Sequence, residues 1–416
     1  MNNTGNFRWR IVALLFFSTT INYVDRQVIG ILKPYIAGDL GWTEIQYGYI
    51  VTAFQIAYAI GLLVTGSLLD KFGSKIGYAW AIVVWSLGGI GHALSRGILG
   101  FGISRSILGL GESANFPASV KTVAEWFPKK ERALATSWFN SGANIGAVLA
   151  PLIVAFVTIR FGWRWAFIIT GLLGFIWLAF WLPFYKTPDK QKKLSKAEFD
   201  YIQSDSEKET TEKVKWKELF KHKQTTGICI MKFTTDWVWW FFLYWAPDFL
   251  NKTQNVDIKK VVLPLIIIYT ISSIGGISGG WLSSHFIKSG KSVNYSRKIT
   301  TLIFALAVIP IVFTASAGNL WIAILLIAWS AAAHQGWSAN LFTIISDIYP
   351  KKSVGSMVGL AGFAGAIGGA ISASFIGWVL QISNSYFLVF AIAGSMYILA
   401  WLSMKIFIPE IKTLNI

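Results

Sequence analysis

Of the 416 residues, one is cysteine and only 14% are charged. The lone Cys229 excludes a disulfide framework and a thiolate zinc site, which both need at least two sulfurs at set spacings. It leaves the redox compartment unread. The scarcity of charge excludes an ordinary soluble enzyme, in which roughly 25% of residues would be charged. Acids are scarcer than bases, 20 Asp and Glu against 37 Lys and Arg, for a formal net charge of +17. That balance could suit a nucleic-acid binder, but the bases fall in short gaps between long apolar runs and have no soluble face to carry them. There is no nucleotide-binding loop, metal-ligand cluster or Ser/His/Asp constellation. Neither an enzyme nor a cofactor is expected.

What the chain does have is apolar surface: 54% hydrophobic residues, with 21 Trp, 30 Phe and 14 Tyr. Apolar runs of roughly 18 to 25 residues are long enough to cross a bilayer as helices. Twelve are expected, near 10–33, 45–68, 76–95, 100–126, 132–158, 164–185, 225–249, 260–284, 297–317, 320–346, 354–380 and 385–407. The first follows Arg8 and Arg10 like a signal peptide, but Asn22, Asp25 and Arg26 interrupt it and no cleavage site of small residues follows, so it reads as a retained helix. The interval 186–223 holds 11 Lys/Arg and 8 Asp/Glu. It divides the chain into a first half, 1–185, a linker, 186–223, and a second half, 224–416. Its mixed charge reads as a solvated helix or linker.

If the N-terminus is cytoplasmic, the inside segments hold 26 Lys/Arg, the outside segments 7 and the spans 4. The positive-inside rule therefore places both termini and the linker in the cytoplasm. Trp9, Trp42, Trp163, Trp281 and Trp321 near span ends fit an interfacial belt. The halves also repeat each other weakly. An offset of 222 residues carries Pro128-Lys129-Lys130 onto Pro350-Lys351-Lys352, Ile145-Gly146 onto Ile367-Gly368, Glu125 onto Asp347 and Glu112 onto His334. Duplicated halves are a transporter plan, with the substrate bound near the midplane. Glycines at 142 and 146, at 275, 276, 279 and 280, and at 355, 359, 365 and 369 form small-residue rows that let helix backbones approach.

An ionisable side chain inside a span costs at least about 2.5 kcal/mol on insertion scales, so each needs a partner, a wet cavity or a task. Tyr23, Asp25 and Arg26 lie roughly 20–24 Å along the first span from Arg10, too deep for snorkelling. Arg105 and Glu112 share one face of the fourth span, and Pro117 is expected to kink the helix just below them. Glu112 could form a static ion pair with Arg26 or Arg105. Alternatively, its protonation could be set by desolvation against a neighbouring cation, the physics of a proton-coupling site. Lys232 and Asp236, at i and i+4, either neutralise each other or serve a cavity. His334, Gln335, Trp337, Ser338 and Asn340 form a polar arc that is either interhelical glue or cavity lining. Asn144 is the deeper of two asparagines on the fifth span. Lys121 can snorkel.

The segment Gly66-Ser-Leu-Leu-Asp70-Lys71-Phe-Gly73-Ser-Lys75 resembles the G-x-x-x-D-R/K-x-G signature of the major facilitator superfamily, and Glu125 with Arg132 resembles its E-x6-R element. The second-half copy, Gly280-Trp-Leu-Ser-Ser284-His285, lacks the acid. Ile21-Asn22-Tyr23-Val24-Asp25-Arg26, and Gly111-Glu112 running to Phe116-Pro117 with Arg105 upstream, are similar to the anion:cation symporter branch. Trp126-Phe127-Pro128 through Ala133, Phe139-Asn140 through Gly146, and Ala333-His334-Gln335 resemble its hexuronate transporter group.

The resemblance implies an all-α membrane protein of twelve transmembrane helices in two pseudo-symmetric six-helix bundles. It implies Asp25 and Glu112, with Arg105, as the proton-coupling set and Arg26 as the carboxylate-binding cation. Tyr23, Tyr58 and Asn144 become polar contacts to a small organic anion. Asp70, Lys71, Glu125 and Arg132 become a cytoplasmic gate. The residues themselves add Lys232, His334, Gln335, Trp337 and Asn340 to the substrate set, because a hexuronate wants a cation, hydrogen-bonding side chains and an aromatic wall. The expected protein is a functional monomer in the lipid bilayer of a bacterial inner membrane, carrying a sugar-acid anion with protons. Sodium coupling, exchange of organic anions or sugar phosphates, and a non-transporting sensor of the same ligand stand as alternatives.

Overall fold

The computed structural model describes residues 5–204 and 216–414. Every regular element in them is helical: α1 Phe7–Leu40, α2 Glu44–Leu94, α3 Ile98–Glu112, α4 Asn115–Trp126, α5 Lys129–Phe161, α6 Trp163–Phe184, α7 Lys196–Gln203, α8 Trp216–Leu219, α9 Lys223–Tyr244, α10 Ala246–Gln254, α11 Val262–Lys288, α12 Val293–Val308, α13 Leu320–Ile348, α14 Lys351–Ser383 and α15 Phe387–Phe407. After α12 the chain tightens into a 3-10 stretch, Ile309–Ser316. There Pro310 has no amide hydrogen to continue the α ladder.

Two of the long helices are composite. In α2 the arms Glu44–Leu69 and Lys71–Leu94 are each long and apolar enough to cross a membrane, and Gly73 at φ 75°, near the start of the second arm, kinks the chain. That φ lies in the region glycine enters without a Cβ penalty. Between α3 and α4 the ladder breaks at Ser113–Ala114. Pro117 cannot donate to the Ser113 carbonyl and crowds it, so Glu112 ends one helix where Asn115 begins the next.

Among the described residues nine helical segments meet the length and hydropathy of a membrane span. The remaining expected spans correspond to α1, α3 with α4, and α9. In α1 and α9 the deep charges lower the apolar character, whereas α3 with 15 residues and α4 with 12 are each too short because the ladder breaks between them. Large apolar side chains such as Trp80, Leu99, Phe156, Ile277 and Ile406 stand exposed on helix faces, where a bilayer would cover them.

The chain forms two compact units. Unit 1 is Met1–Val28 with Ile60–Thr211, and unit 2 is Ile29–Ala59 with Glu212–Ile416. In unit 1, α5 lies directly on α1: a Cβ on Gly146 would stand 2.4 Å from the Thr20 carbonyl oxygen. In unit 2, α11 and α13 touch backbone to backbone, and a Cβ on Gly279 would fall 2.5 Å from the Gly336 Cα. Gly276 and Gly280, expected in the same packing row, meet little or nothing. The linker is not simply a solvated spacer. Ser195 caps α7 by accepting from the Glu198 amide, and Glu198, buried, accepts from the Phe7 and Arg8 amides and from the Arg8 guanidinium. Helix α7 is thereby tied to the start of α1.

Candidate functional site

In unit 1 the deep charges converge. The guanidinium of Arg26 on α1 donates through Nε to Glu112 Oε2 at 2.8 Å, and its Nη2 reaches the same oxygen at 2.8 Å. Nη2 also donates to Asn22 Oδ1 at 3.3 Å, and the guanidinium lies 5.0 Å from the centre of the Tyr23 ring. Both partners are buried, Glu112 at 1% exposure, and Glu112 Oε1 has no hydrogen-bond partner among the described residues. Two unit charges so far from water are tolerable only as a pair.

Asp25 is adjacent to Arg26 on α1 and buried. It looks toward Thr170 on α6, with Arg105 and Glu112 as its charged neighbours. Neither carboxylate oxygen has a donor within hydrogen-bond geometry among the described residues. Arg105 is fully buried and lies in the field of Asp25, Glu112 and His92. The expected trio of Asp25, Arg105 and Glu112 is therefore one electrostatic cluster, with Arg26 and Tyr23 on its flank. Asn144 is half-buried on α5 between Gly142 and Gly146, the glycines that seat that helix on α1 beside Tyr23.

Unit 2 holds a second polar region. Lys232 donates to Asp236 at 2.7 Å and lies 5.2 Å from the centre of the Phe342 ring; the carboxylate rests against Gly365, which leaves no room for a Cβ. His334 is stacked on Trp239 at 4.9 Å and hydrogen-bonded through Nδ1 to the Tyr397 hydroxyl. Trp337 is fully buried, edge-on to Tyr397 at 5.6 Å. Gln335 is half-buried near Gly276. Asn340 donates to the carbonyls of Gly279 at 3.0 Å and Gly336 at 2.9 Å. The first of these joins α13 to α11, and Asn340 Oδ1 has no hydrogen-bond partner among the described residues. Tyr58 falls in unit 2, stacked on Phe54 at 5.8 Å and edge-on to Trp240 at 6.5 Å.

The expected gate residues lie where the two arms of α2 meet and where α4 ends. Lys71 is exposed, with its ammonium 5.5 Å from the Phe72 ring centre; the side chain of Asp70 lies outside the described residues. Glu125 accepts from Ser74 at 2.7 Å and from the Tyr185 hydroxyl. Arg132 donates to the Phe127 carbonyl at 3.0 Å and the Ala124 carbonyl at 3.1 Å, closing the end of α4 where unpaired carbonyls favour a cation. Lys121 donates to the Leu69 carbonyl at 2.8 Å. In unit 2 the sequence repeat makes Asp347 the counterpart of Glu125, and Asp347 accepts from Arg297 at 2.9 Å. Arg297 also donates to Ser283 at 2.6 Å. An acid is thus present at this end of unit 2 although the sequence motif lacks one.

One cluster escaped the sequence reading. Lys33, 1% exposed, pairs with Glu44 at 2.5 Å and with Asp248 at 2.6 Å. Asp248 also accepts from Tyr386, and Lys252 from α10 joins Glu44 and lies 3.5 Å from Asp248. Burial works against the Lys252 ammonium, but Asp248 and Glu44 outweigh it and hold its pKa above the ordinary lysine value. Of these residues the sequence reading counted only Lys33 and Lys252, among the seven outside bases. The one available signal was the i, i+4 spacing of Asp248 and Lys252.

The profile of the Major Facilitator Superfamily matches residues 15–373. The chain is 32% identical to the hexuronate transporter of Escherichia coli K12 over 382 residues, 91% of this chain and 88% of the relative. It is 34% identical to the galacturonate transporter of Dickeya chrysanthemi over 307 residues, 73% and 89% of the two chains. It is 30% identical to a probable galactarate/D-glucarate transporter of Bacillus subtilis over 422 residues, 97% and 92%. Among solved structures, a D-xylose–proton symporter superposes with a TM-score of 0.76 at 19% identity, covering 98% of this chain and all of the other. The chain belongs to the Major Facilitator Superfamily and has its all-α membrane fold; it is a transporter and not an enzyme.

Proposed function

Because the chain is a major facilitator, we propose that it imports a small sugar-acid anion, a hexuronate such as galacturonate or glucuronate, together with protons. It would act as a monomer in a bacterial inner membrane with both termini cytoplasmic. The names of its relatives support the substrate class, and the loop-charge asymmetry supports the orientation.

The observation that carries the coupling is the Arg26–Glu112 pair beside a carboxylate, Asp25, that meets no donor in hydrogen-bond geometry among the described residues. While Glu112 is ionised it occupies the guanidinium that a substrate carboxylate needs. A proton added to Glu112 removes that competitor and leaves the Arg26 fork for the incoming anion, a charge-assisted match. An ionised carboxylate without donors is costly in an apolar interior, so a second proton on Asp25 completes the neutralisation. The loaded state, with charges cancelled, is the one that reorients between the two sides. Proton loss into a less acidic cytoplasm returns Glu112 to Arg26 and displaces the substrate. In this reading Tyr23 and Asn144 flank the bound anion, and Tyr58, Lys232, His334, Gln335 and Trp337 complete the substrate set. Asn340 would act through α13. The ends bearing Asp70, Lys71, Glu125 and Arg132 gate the cytoplasmic side.

The test is uptake of labelled galacturonate and glucuronate into proteoliposomes under an imposed inward proton gradient without sodium. Accumulation that disappears when the gradient is collapsed is expected. Exchange with sugar phosphates at equal rates with and without the gradient would overturn the reading in favour of antiport.

A further inference from the structure

Gln55 on α2 is fully buried, and neither its amide oxygen nor its amide nitrogen has a hydrogen-bond partner among the described residues. A buried amide with both ends unmet is rare, since nearly all buried polar groups are paired. Its desolvation is uncompensated, and an apolar side chain of the same size would be the more stable occupant. Its surroundings, all in unit 2, explain what it is set up to meet. The Gln55 amide lies over Gly369 of α14 together with the indole of Trp240: a Cβ on that glycine would fall 3.1 Å from Gln55 Cδ and 2.8 Å from Trp240 Nε1. Trp240 is stacked on Tyr244 at 5.8 Å with the rings 7° from parallel. The hydroxyl of Tyr269, within electrostatic reach of Tyr244, is also buried without a hydrogen-bond partner among the described residues.

We propose that Gln55, Trp240 and Tyr269 form a hydroxyl-recognition subsite that selects polyhydroxylated substrates over plain carboxylates. The chemistry follows from the atoms. An amide offers one acceptor and two donor hydrogens, and a tyrosine hydroxyl offers both kinds in one group. A pair of neighbouring sugar hydroxyls presents the complementary set. The parallel Trp240–Tyr244 pair supplies an aromatic wall for the sugar C–H face. Gly369 is the position that lets the indole and the amide lie side by side. A site built to hydrogen-bond hydroxyls rejects analogues that lack them, because its own buried groups are then left unpaired. The inference rests on the sugar-acid reading for the acid part of the ligand but not for the hydroxyl part.

The experiment measures binding of galacturonate, neutral galactose and hydroxyl-free hexanoate to the purified full-length protein, wild type and Gln55→Leu, with melting temperatures alongside. Wild type should prefer galacturonate to hexanoate. Gln55→Leu should weaken galacturonate by about 10- to 100-fold, leave hexanoate unchanged and melt no lower than wild type. A structural amide would instead lower the melting temperature. Gly369→Ala, which keeps the amide but displaces it, should show the same selective loss, and it serves as the test if the leucine variant does not fold. Equal losses for both acids, or none, would overturn the subsite. If wild type binds galactose through Gln55 but no sugar acid, the sugar-acid reading fails and the subsite stands. If it binds neither hydroxylated ligand, the subsite fails.

Discussion

Lys33 and Asp248 form an ion pair 2.6 Å long with both side chains out of solvent, although one lies near the end of α1 and the other in α10. Breaking a buried pair from one side leaves an uncompensated charge, whereas removing both charges together is often neutral. Asp248→Leu should therefore destabilise the protein by about 3 kcal/mol or more. The double variant Lys33→Leu with Asp248→Leu should recover most of that loss. Melting temperatures of the full double-mutant cycle check it, and strict additivity of the two single effects would refute the coupling.

Glu112→Gln should separate binding from coupling. With no competing carboxylate, Arg26 is available at every pH. Galacturonate affinity should then keep only the weaker pH dependence that Asp25 contributes, while gradient-driven accumulation falls by at least about tenfold. Binding titrations at several pH values, paired with proteoliposome uptake, decide it. A variant that still accumulates substrate against its gradient would remove Glu112 from the coupling path.

Arg26→Lys keeps the charge but loses the planar fork that places two N–H groups on one carboxylate. Substrate affinity should fall by about 10- to 100-fold. Affinity measured by titration should show this loss with the melting temperature little changed, because a lysine can still pair with Glu112. Unchanged affinity would place the carboxylate elsewhere.

The pKa of Lys252 is raised in the folded protein. Its pairing therefore adds stability that is fully present below the pKa of an unfolded lysine and is lost as pH rises through the higher folded value. The melting difference between wild type and Lys252→Met should be flat from about pH 6 to about pH 9 and shrink only in strongly alkaline buffer. It should also be small, since the side chain is partly exposed and screened. A difference that disappears on acidification would show that the cluster is governed by its carboxylates.

Asn340→Leu should lower stability by about 0.5–1.5 kcal/mol, the net worth of the hydrogen bond lost where α13 meets α11. Substrate KM should hold. A raised KM at unchanged stability would return Asn340 to direct substrate contact.

The sequence was most legible where a costly residue type stood out against an apolar background. Asp25, Arg26, Arg105 and Glu112 could be placed together because a charge in a span demands a partner, and Pro117 marked the helix break that sets Glu112 at its end. The partition between pairs was not readable, since Arg26 and Arg105 were both within plausible reach of Glu112. Asn340 shows another limit: an amide on a polar arc serves glue and cavity equally well until the neighbouring carbonyls are known. Gln55 was missed because an uncharged amide in a hydrophobic run raises no alarm, and its unmet hydrogen bonds exist only in three dimensions. The Lys33 cluster was missed because charges at span ends are expected on topological grounds alone.

The contact of α11 with α13 at Gly279 and Gly336 has a practical use for spectroscopy. Two helices in backbone contact have no side-chain layer between them to yield, so they behave as one solid body. Ile277, 76% exposed, and Trp329, 57% exposed, lie on their outer faces. Probes attached at those two positions would keep a fixed separation through every turnover, providing an internal ruler against which any moving label elsewhere in the molecule can be calibrated.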